Sequence, residues 1–573
     1  MIRSLCRRAA WSVLILCVCR LAAAQQFDEK FDYWPSDLRI GGTLILASQL
    51  DELSVLKDAV GRSPDERRVV LLVDSADCDE LAARYRAALA PSKRDEEKSA
   101  ASDTGKKKSD DTAPFDVVPI TEDVGERLAA AAANCDILCW HSTKPHSAES
   151  HARFAAAAGD VLKKHLDAGR TLLIVGEAAR CASRFYVDSS NEQPRVADGL
   201  NLIPDCIVAT DYTDAQDRGQ LLAALATHPR SVGIGVEKNA AVVLAGRTIR
   251  VVGSGSATLL LMANERQPLR VQTIAERRSP RQPPEDYLAD LTEWRRDAID
   301  RTLDPFPPEK PRSPVVEDGA LVIVGGGGMP RGLMRKFIDL AGGNENAKLV
   351  YVPCAEEDDV GNRHGTIEQW NRMGVEHCTF IHTKDRNRAN NDEEFLAPLR
   401  DATGIWFGGG RQWNLADSYY GTTAHRLMKE VLHRGGVIGG SSAGASIQAR
   451  YLARATPIGN TRIMAPGYER GGLGFLSGVA IDQHFTQRGR QRDMTDLLQH
   501  HPQLLGIGLD EATAIVVTNS TAEVVGEGKV HFYDRRQPVY PDRPDYIALP
   551  EGGRFDLVER KPIQEESPAK DAE

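Results

Sequence analysis

The stretch GGVIGGSSAGAS, residues 435–446, has the makeup of a strand that turns abruptly into a helix. Within it, Gly440-Ser441-Ser442-Ala443-Gly444 has the spacing of a nucleophile elbow, a sharp turn that lifts one serine to its tip. Glycines on either side let the backbone pass close to its neighbours without side-chain clashes. Ser442 is then the candidate nucleophile. The amide of Ala443, at the start of the helix, faces developing negative charge and forms half of an oxyanion hole. The plainer alternative is a glycine-rich turn with no chemistry, and the surrounding sequence has to decide between them.

Leu321–Val324, Lys348–Val352, Gly404–Phe407 and Gly436–Ile438 are short apolar runs separated by longer amphipathic stretches. That alternation predicts an α/β fold, a mostly parallel sheet with helices on both faces. Such sheets hold ligands at the carboxyl ends of their strands. Gly408-Gly409-Gly410 follows one of these strands, and Gly409 or Gly410 is placed to give the second oxyanion amide. Gly325 to Gly328 follow another, but Pro330 occupies the third-glycine position of a dinucleotide fingerprint and no acidic partner follows at the expected distance. No nicotinamide cofactor is expected. No metal site is expected either, because no His/Cys/Asp/Glu set has ligand spacing.

Serine needs a positioned base to attack. DQHFTQRGRQR, residues 482–492, supplies His484 at a strand end among polar neighbours. Arg488, Arg490 and Arg492 follow it, a run that favours an anionic substrate. GIGLDEATAIVV then places Asp510 and Glu511 at a strand–turn–strand, where one of them can orient and balance the imidazolium.

The chain reads as two similar halves. The segments starting at Gly199 and Gly472 run in register without a gap, an offset of 273 residues. They share Gly-Leu, His-Pro and Gly-Ile-Gly, and GGTLILAS (from Gly41) echoes DGALVIVG (from Asp318). A tandem duplication is the expectation. At the same offset His484 becomes Asp211, Arg488 becomes Ala215, Arg490 becomes Asp217 and Glu511 becomes Lys238. The first copy is therefore read as degenerate. The joint loss of His484 and Glu511 favours Glu511 over Asp510 as the third member of a triad.

The second half resembles the cyanophycinase family of serine peptidases, which also contains dipeptidase E. The resemblance rests on Gly439 to Ala445, on Asp482-Gln483-His484-Phe485 with Arg488 and Arg490, and on Gly508-Leu509-Asp510-Glu511 with Thr513-Ala514. Trp406-Phe407 with Gly409, Gly410 and Gln412 looks like the family's loop beside the serine. The resemblance implies a class I glutamine-amidotransferase-like (flavodoxin-like) fold, with Ser442 as nucleophile and His484 as base. It also implies Gln412, Asp482, Gln483, Arg488 and Arg490 around the substrate. The implied substrate is cyanophycin, whose poly-aspartate backbone carries arginines and is released as β-Asp-Arg dipeptides. The chain departs from the family at Arg411, at Asp493 with Arg492 one place early, and between the serine and histidine. There some relatives carry an acid, and this chain offers only Glu469 and Asn460.

With 573 residues, two domains are expected. Residues 1–24 read as a secretory signal, with Arg3, Arg7 and Arg8 before an apolar run and Ala22-Ala23-Ala24 at the cleavage site. That run is too short to span a bilayer, so the expectation is a secreted or periplasmic protein without membrane attachment. The remaining assignments are a degenerate domain at 41–265 with a charged insertion at 91–113, a linker at 266–316, a catalytic domain at 317–555 and a disordered tail at 556–573. A net charge of −10 argues against a nucleic-acid partner. Partners are thus an acidic polypeptide substrate and either a second copy of the chain or the opposite half of the same chain. Two rival readings are a non-catalytic polymer-binding protein and an α/β-hydrolase-type esterase using Ser442, Asp510 and His531.

Overall fold

The strand Val316–Val324 divides its side chains between two cores, and this alternation organises the second half. Leu321 and Ile323 point into one cluster with Leu415, Leu427 and Val431. Ala320, Val322 and Val324 point into another with Leu333, Phe337 and Trp370. A strand buried on both faces needs helices on both faces, and the computed structural model has them. Helices Glu393–Asp401, Gln412–Tyr419 and Thr423–His433 cover one side. Helices Leu333–Leu340 and Gly365–Arg372 cover the other. The structure describes residues 34–564 apart from 61–67, 74–77, 90–114, 121–123, 143–147, 189–194, 214, 357–359, 363, 460–461 and 541.

The main sheet of this half runs His377–Phe380, Lys348–Val352, Gly404–Phe407, Val437–Ser441, Val316–Val324, Thr513–Asn519, Thr521–Gly526, Arg554–Asp556, Lys561–Pro562. The first five strands are mutually parallel. The rest extend the sheet in antiparallel fashion. The fold class is the α/β one expected, with an antiparallel wing that apolar periodicity did not separate. A smaller sheet holds Ala449–Tyr451, Leu476–Asp482, Leu505–Leu509, Val530–Asp534 and Ile547–Leu549.

The first half has the same strand order. Phe115–Pro119, Val69–Val73, Ile137–Ser142, Thr171–Gly176, Ile40–Ala47, Ala240–Gly246 and Thr248–Gly253 follow one another, and Leu288–Asp290 closes the edge. Its own smaller sheet places Ile203–Thr210 beside Val232–Val236, as the second half places Leu476–Asp482 beside Leu505–Leu509.

Two boundaries move. Residues 266–316, expected to be a linker, supply Arg270–Ala275 and Leu288–Asp290 to the two sheets of the first half. They also supply the helix Leu291–Asp300, whose Leu291 to Ile299 are all buried and which is capped by Asp290 accepting from the Glu293 amide. Arginine-rich composition resembles solvated chain, but here Arg270 pairs with Glu293 and Asp297 at 2.6 and 2.7 Å. Residues 556–564, expected to lie in a disordered tail, are ordered, because Lys561–Pro562 pairs with Arg554–Asp556. The signal at 1–24, the insertion at 91–113 and Asn460 lie outside the described residues. The seven described cysteines are all free thiols.

Candidate active site

Ser442 follows the strand Val437–Ser441 and caps the short helix Ala443–Ser446 with φ 56° and ψ −112°. Left-handed backbone is strained for a residue with a side chain, and strain of this kind is characteristic of a serine held up at an elbow. The turn is tight: a Cβ on Gly444 would stand 2.2 Å from the Phe407 carbonyl oxygen. The Ser442 amide donates to the Val324 carbonyl at 3.0 Å, which ties the elbow to the neighbouring strand.

His484 and Glu511 arrive from the smaller sheet, in the loops after Leu476–Asp482 and Leu505–Leu509. Ser442 Oγ lies 2.9 Å from His484 Nε2. His484 Nδ1 lies 2.5 Å from Glu511 Oε1. A hydroxyl, an imidazole and a carboxylate are therefore in one line, with the serine able to give its proton to the ring and the ring's other N–H held by the acid. Gln487 Oε1 accepts from the Glu511 amide at 3.0 Å and steadies the acid's backbone.

Burial lowers the His484 pKa from its ordinary value, opposed by the hydrogen bond to Glu511 and reinforced by the charge of Arg488. A base must be neutral to accept a proton. Activity is accordingly expected to rise with pH through a midpoint below the ordinary imidazole value of about 6.5. The pH profile of kcat/KM checks this, and Arg488→Ala, which removes a repelling cation, is expected to move the midpoint up.

The glycine run 325–328, rejected as a dinucleotide fingerprint, has another purpose that the sequence reading missed. The His484 amide donates to the Gly325 carbonyl and the Ala512 amide to the Gly326 carbonyl, each at 2.8 Å. A Cβ on Gly326 would stand 2.4 Å from the His484 ring, and one on Gly327 would stand 2.4 Å from the Glu511 carboxyl carbon. Both residues also have positive φ, 89° and 66°. The run makes room for the imidazole and the carboxylate. Gly326→Ala is expected to push the ring out of line and reduce turnover about a hundredfold. Steady-state kinetics on the folded variant measures it.

The loop Gly408–Gly410 approaches the serine from the other side. The Gly408 amide is taken by the Val352 carbonyl and the Arg411 amide by the Ala355 carbonyl, which leaves the amides of Gly409 and Gly410 between them. A Cβ on Gly409 would be only 3.6 Å from the Ser442 Cβ. With Ala443, this gives two amide-bearing segments beside one hydroxyl, the geometry an oxyanion needs.

The residues expected around a substrate divide into two groups. Asp482 is fully buried and accepts from Arg454 and Arg490, so it lies beneath the site and cannot reach a substrate. Arg490 is buried too, and its Nη1 bonds Asp482 at 2.9 Å, with the Gln483 carbonyl at 2.6 Å and the Gln483 side chain at 3.2 Å. Gln412 donates to the carbonyls of Ala453 and Arg454. Asp493 pairs with Arg454. These side chains form a polar floor under the site. Arg488 is the exposed arginine near His484, with Arg492 exposed further along.

Asp510 belongs elsewhere. Burial would raise its pKa, but hydrogen bonds from His531, Thr486 and Lys529 hold it down to about 2. Its imidazole neighbour, His531, is a buried side chain tilted at 42° to the Phe485 ring. The imidazole on Ser442 is His484, so the arrangement Ser442, Asp510, His531 is not formed.

In the first half, register pairing puts Gly176 where Ser442 stands, one residue past Val175 opposite Ala47 and Ser441 opposite Val324. Asp211 keeps the left-handed backbone of His484, with φ 53° against 50°, but bonds Ser48 Oγ at 2.7 Å. Lys238 pairs with Asp51 at 3.0 Å. The backbone at these positions resembles that of the second half, while the side chains make a different set of contacts.

Comparison with known proteins gives a family match within the second half. Residues 321–525 match peptidase family S51. The chain is 27% identical over 270 residues to a cyanophycinase of Trichormus variabilis, covering 44% of this chain and 89% of that one. It is 28% identical over 212 residues to a cyanophycinase of Geminocystis herdmanii (36% and 76%). It is 31% identical over 214 residues to one of Synechococcus elongatus (37% and 65%). Among solved structures, a peptidase from an acI-B1 Actinobacterium is 25% identical, covers 42% of this chain and 97% of its own, and has a TM-score of 0.33.

Proposed function

Since the second half of this chain is a cyanophycinase-like, serine-type peptidase domain of family S51, we propose that it hydrolyses the aspartyl backbone of cyanophycin, or of a related acidic polymer, through an acyl-enzyme on Ser442. The observation that carries this reading is the line Ser442 Oγ, His484, Glu511, with spacings of 2.9 and 2.5 Å. Ser442 Oγ attacks the scissile carbonyl carbon as its proton passes to His484 Nε2. The amides of Ala443 and Gly409 or Gly410 stabilise the oxyanion. Collapse of the intermediate breaks the C–N bond, and His484 returns the proton to the leaving amine. Water, deprotonated by the same imidazole, then cleaves the ester and restores the serine.

Arg488 supports an anionic substrate, since an exposed guanidinium next to the base suits a carboxylate. The first half is, on this reading, a degenerate copy retained from a tandem duplication, which the shared strand order supports. Export through residues 1–24 belongs to the same proposal. Among the described residues no helix is long and apolar enough to cross a membrane.

Incubation with purified cyanophycin tests the reading, with mass spectrometry of the products. Arginine-bearing aspartyl dipeptides are expected. An intact polymer, together with a Ser442 that a fluorophosphonate does not label, would mean a binding protein instead.

A further inference from the structure

The first half reaches into the second through a buried polar cluster centred on Asp417. Asp417, on the helix Gln412–Tyr419, is 4% exposed. Its carboxylate accepts from Arg247 Nη1 at 2.7 Å, from Arg296 Nη1, and from Tyr468 Oη at 3.2 Å. Arg247 lies between the strands Ala240–Gly246 and Thr248–Gly253 of the first half and also bonds both oxygens of Asp290, at 2.5 and 2.8 Å. Arg296 stacks its guanidinium over Trp34, 4.1 Å from the ring centre, and donates to the Pro35 carbonyl at 3.0 Å. Two guanidinium groups thus face two carboxylates, and the charges close on themselves inside the protein.

The helix that carries Asp417 begins one residue after Arg411, directly behind the Gly408–Gly410 loop. Its first residue, Gln412, is fixed by the carbonyls of Ala453 and Arg454, within the second half. Its second turn is fixed at Asp417, by Arg247 and Arg296. The helix is a rigid rod between the two tethers, and an oxyanion amide tolerates little displacement.

We propose that Arg247 is a positioning residue for the reaction of the other half: through Asp417 it holds the helix Gln412–Tyr419, and with it the Gly408–Gly410 loop, in register with Ser442. The first half then contributes to catalysis without a catalytic group of its own. This rests on the reading of Ser442 given above.

The test is the kinetics of fluorophosphonate labelling on the full chain, because the phosphonyl oxygen must enter the same oxyanion position as a substrate carbonyl. Arg247→Met is expected to lower kinact about tenfold to a hundredfold, with KI within about twofold of the parent. Arg247→Lys, which keeps one charged contact but not the fork, is expected to fall in between. Tyr468→Phe removes only one hydroxyl donor and gives a smaller loss of the same type. It carries the test if Arg247→Met does not fold. A clamp that only stabilises the fold lowers Tm while leaving kinact at the parent value below that Tm, and this outcome in Arg247→Lys and Tyr468→Phe overturns the proposal. Absence of labelling in the parent protein would instead overturn the reading of Ser442.

Discussion

Replacing Ser442 by alanine is expected to reduce hydrolysis by about a millionfold, to what binding and the oxyanion amides alone sustain. The Ser441→Ala variant is expected to keep most activity, since Ser441 is the last residue of its strand and lies opposite Val324. Stability separates the roles further. Alanine at 442 carries a Cβ into the same backbone, at φ 56° and ψ −112°, so its Tm should match that of the parent. Glycine there relieves the strain and is expected to raise stability by about 1 kcal/mol. The residue at the register-equivalent place in the first half is a glycine, Gly176, with a comparable backbone at φ 75° and ψ −142°. A thermal melt of the three variants, beside their turnover on cyanophycin, measures both effects. If Ser441→Ala were the silent enzyme and Ser442→Ala the active one, the nucleophile would be Ser441.

What the sequence made legible was local turn chemistry. Gly440 to Gly444, the polar strand end at His484 and the turn at Glu511 are each readable from a few neighbours, because each constrains its own backbone. The structure adds the distances that join them. The purpose of Gly326 and Gly327 was hidden, since it lies in the space left for a ring and a carboxylate that are distant in sequence. Asp482 and Arg490 sit in the segment that carries the family resemblance, yet charge type says nothing about whether a group faces solvent or another ion. Here the two face each other. The same blindness affected residues 266–316, where buried arginines with buried partners read as a linker. Charged residues are rarely buried unless paired, and the partners of Arg296 and Arg247 lie far away in the chain.

Changing Glu511 to glutamine is expected to depress turnover by about ten-thousandfold while leaving Tm close to the parent value. Its side chain is 35% exposed and bonds His484 Nδ1, so the isosteric amide disturbs little packing. The amide cannot balance the imidazolium that forms as Ser442 gives up its proton. The pH profile provides a second signature. Glu511 opposes the burial that lowers the His484 pKa, so its removal should move the acid midpoint still lower. A merely destabilised enzyme would show no such shift. Glu469, the acid between serine and histidine in the chain, makes the contrast. It hydrogen-bonds Tyr451 Oη at 3.0 Å, and burial pushes its pKa up to about 7. It borders a cavity of about 970 Å³ shared with Asn264 and Asp300, on the side where the two halves meet. Its carboxylate is engaged by Tyr451, whereas the His484 imidazole is held by Glu511. Glu469→Gln should therefore leave kcat and the acid midpoint unchanged. Should Glu511→Gln instead retain kcat within about tenfold of the parent, with its midpoint unmoved, the working unit would be a Ser442–His484 dyad and the bond at Glu511 structural only.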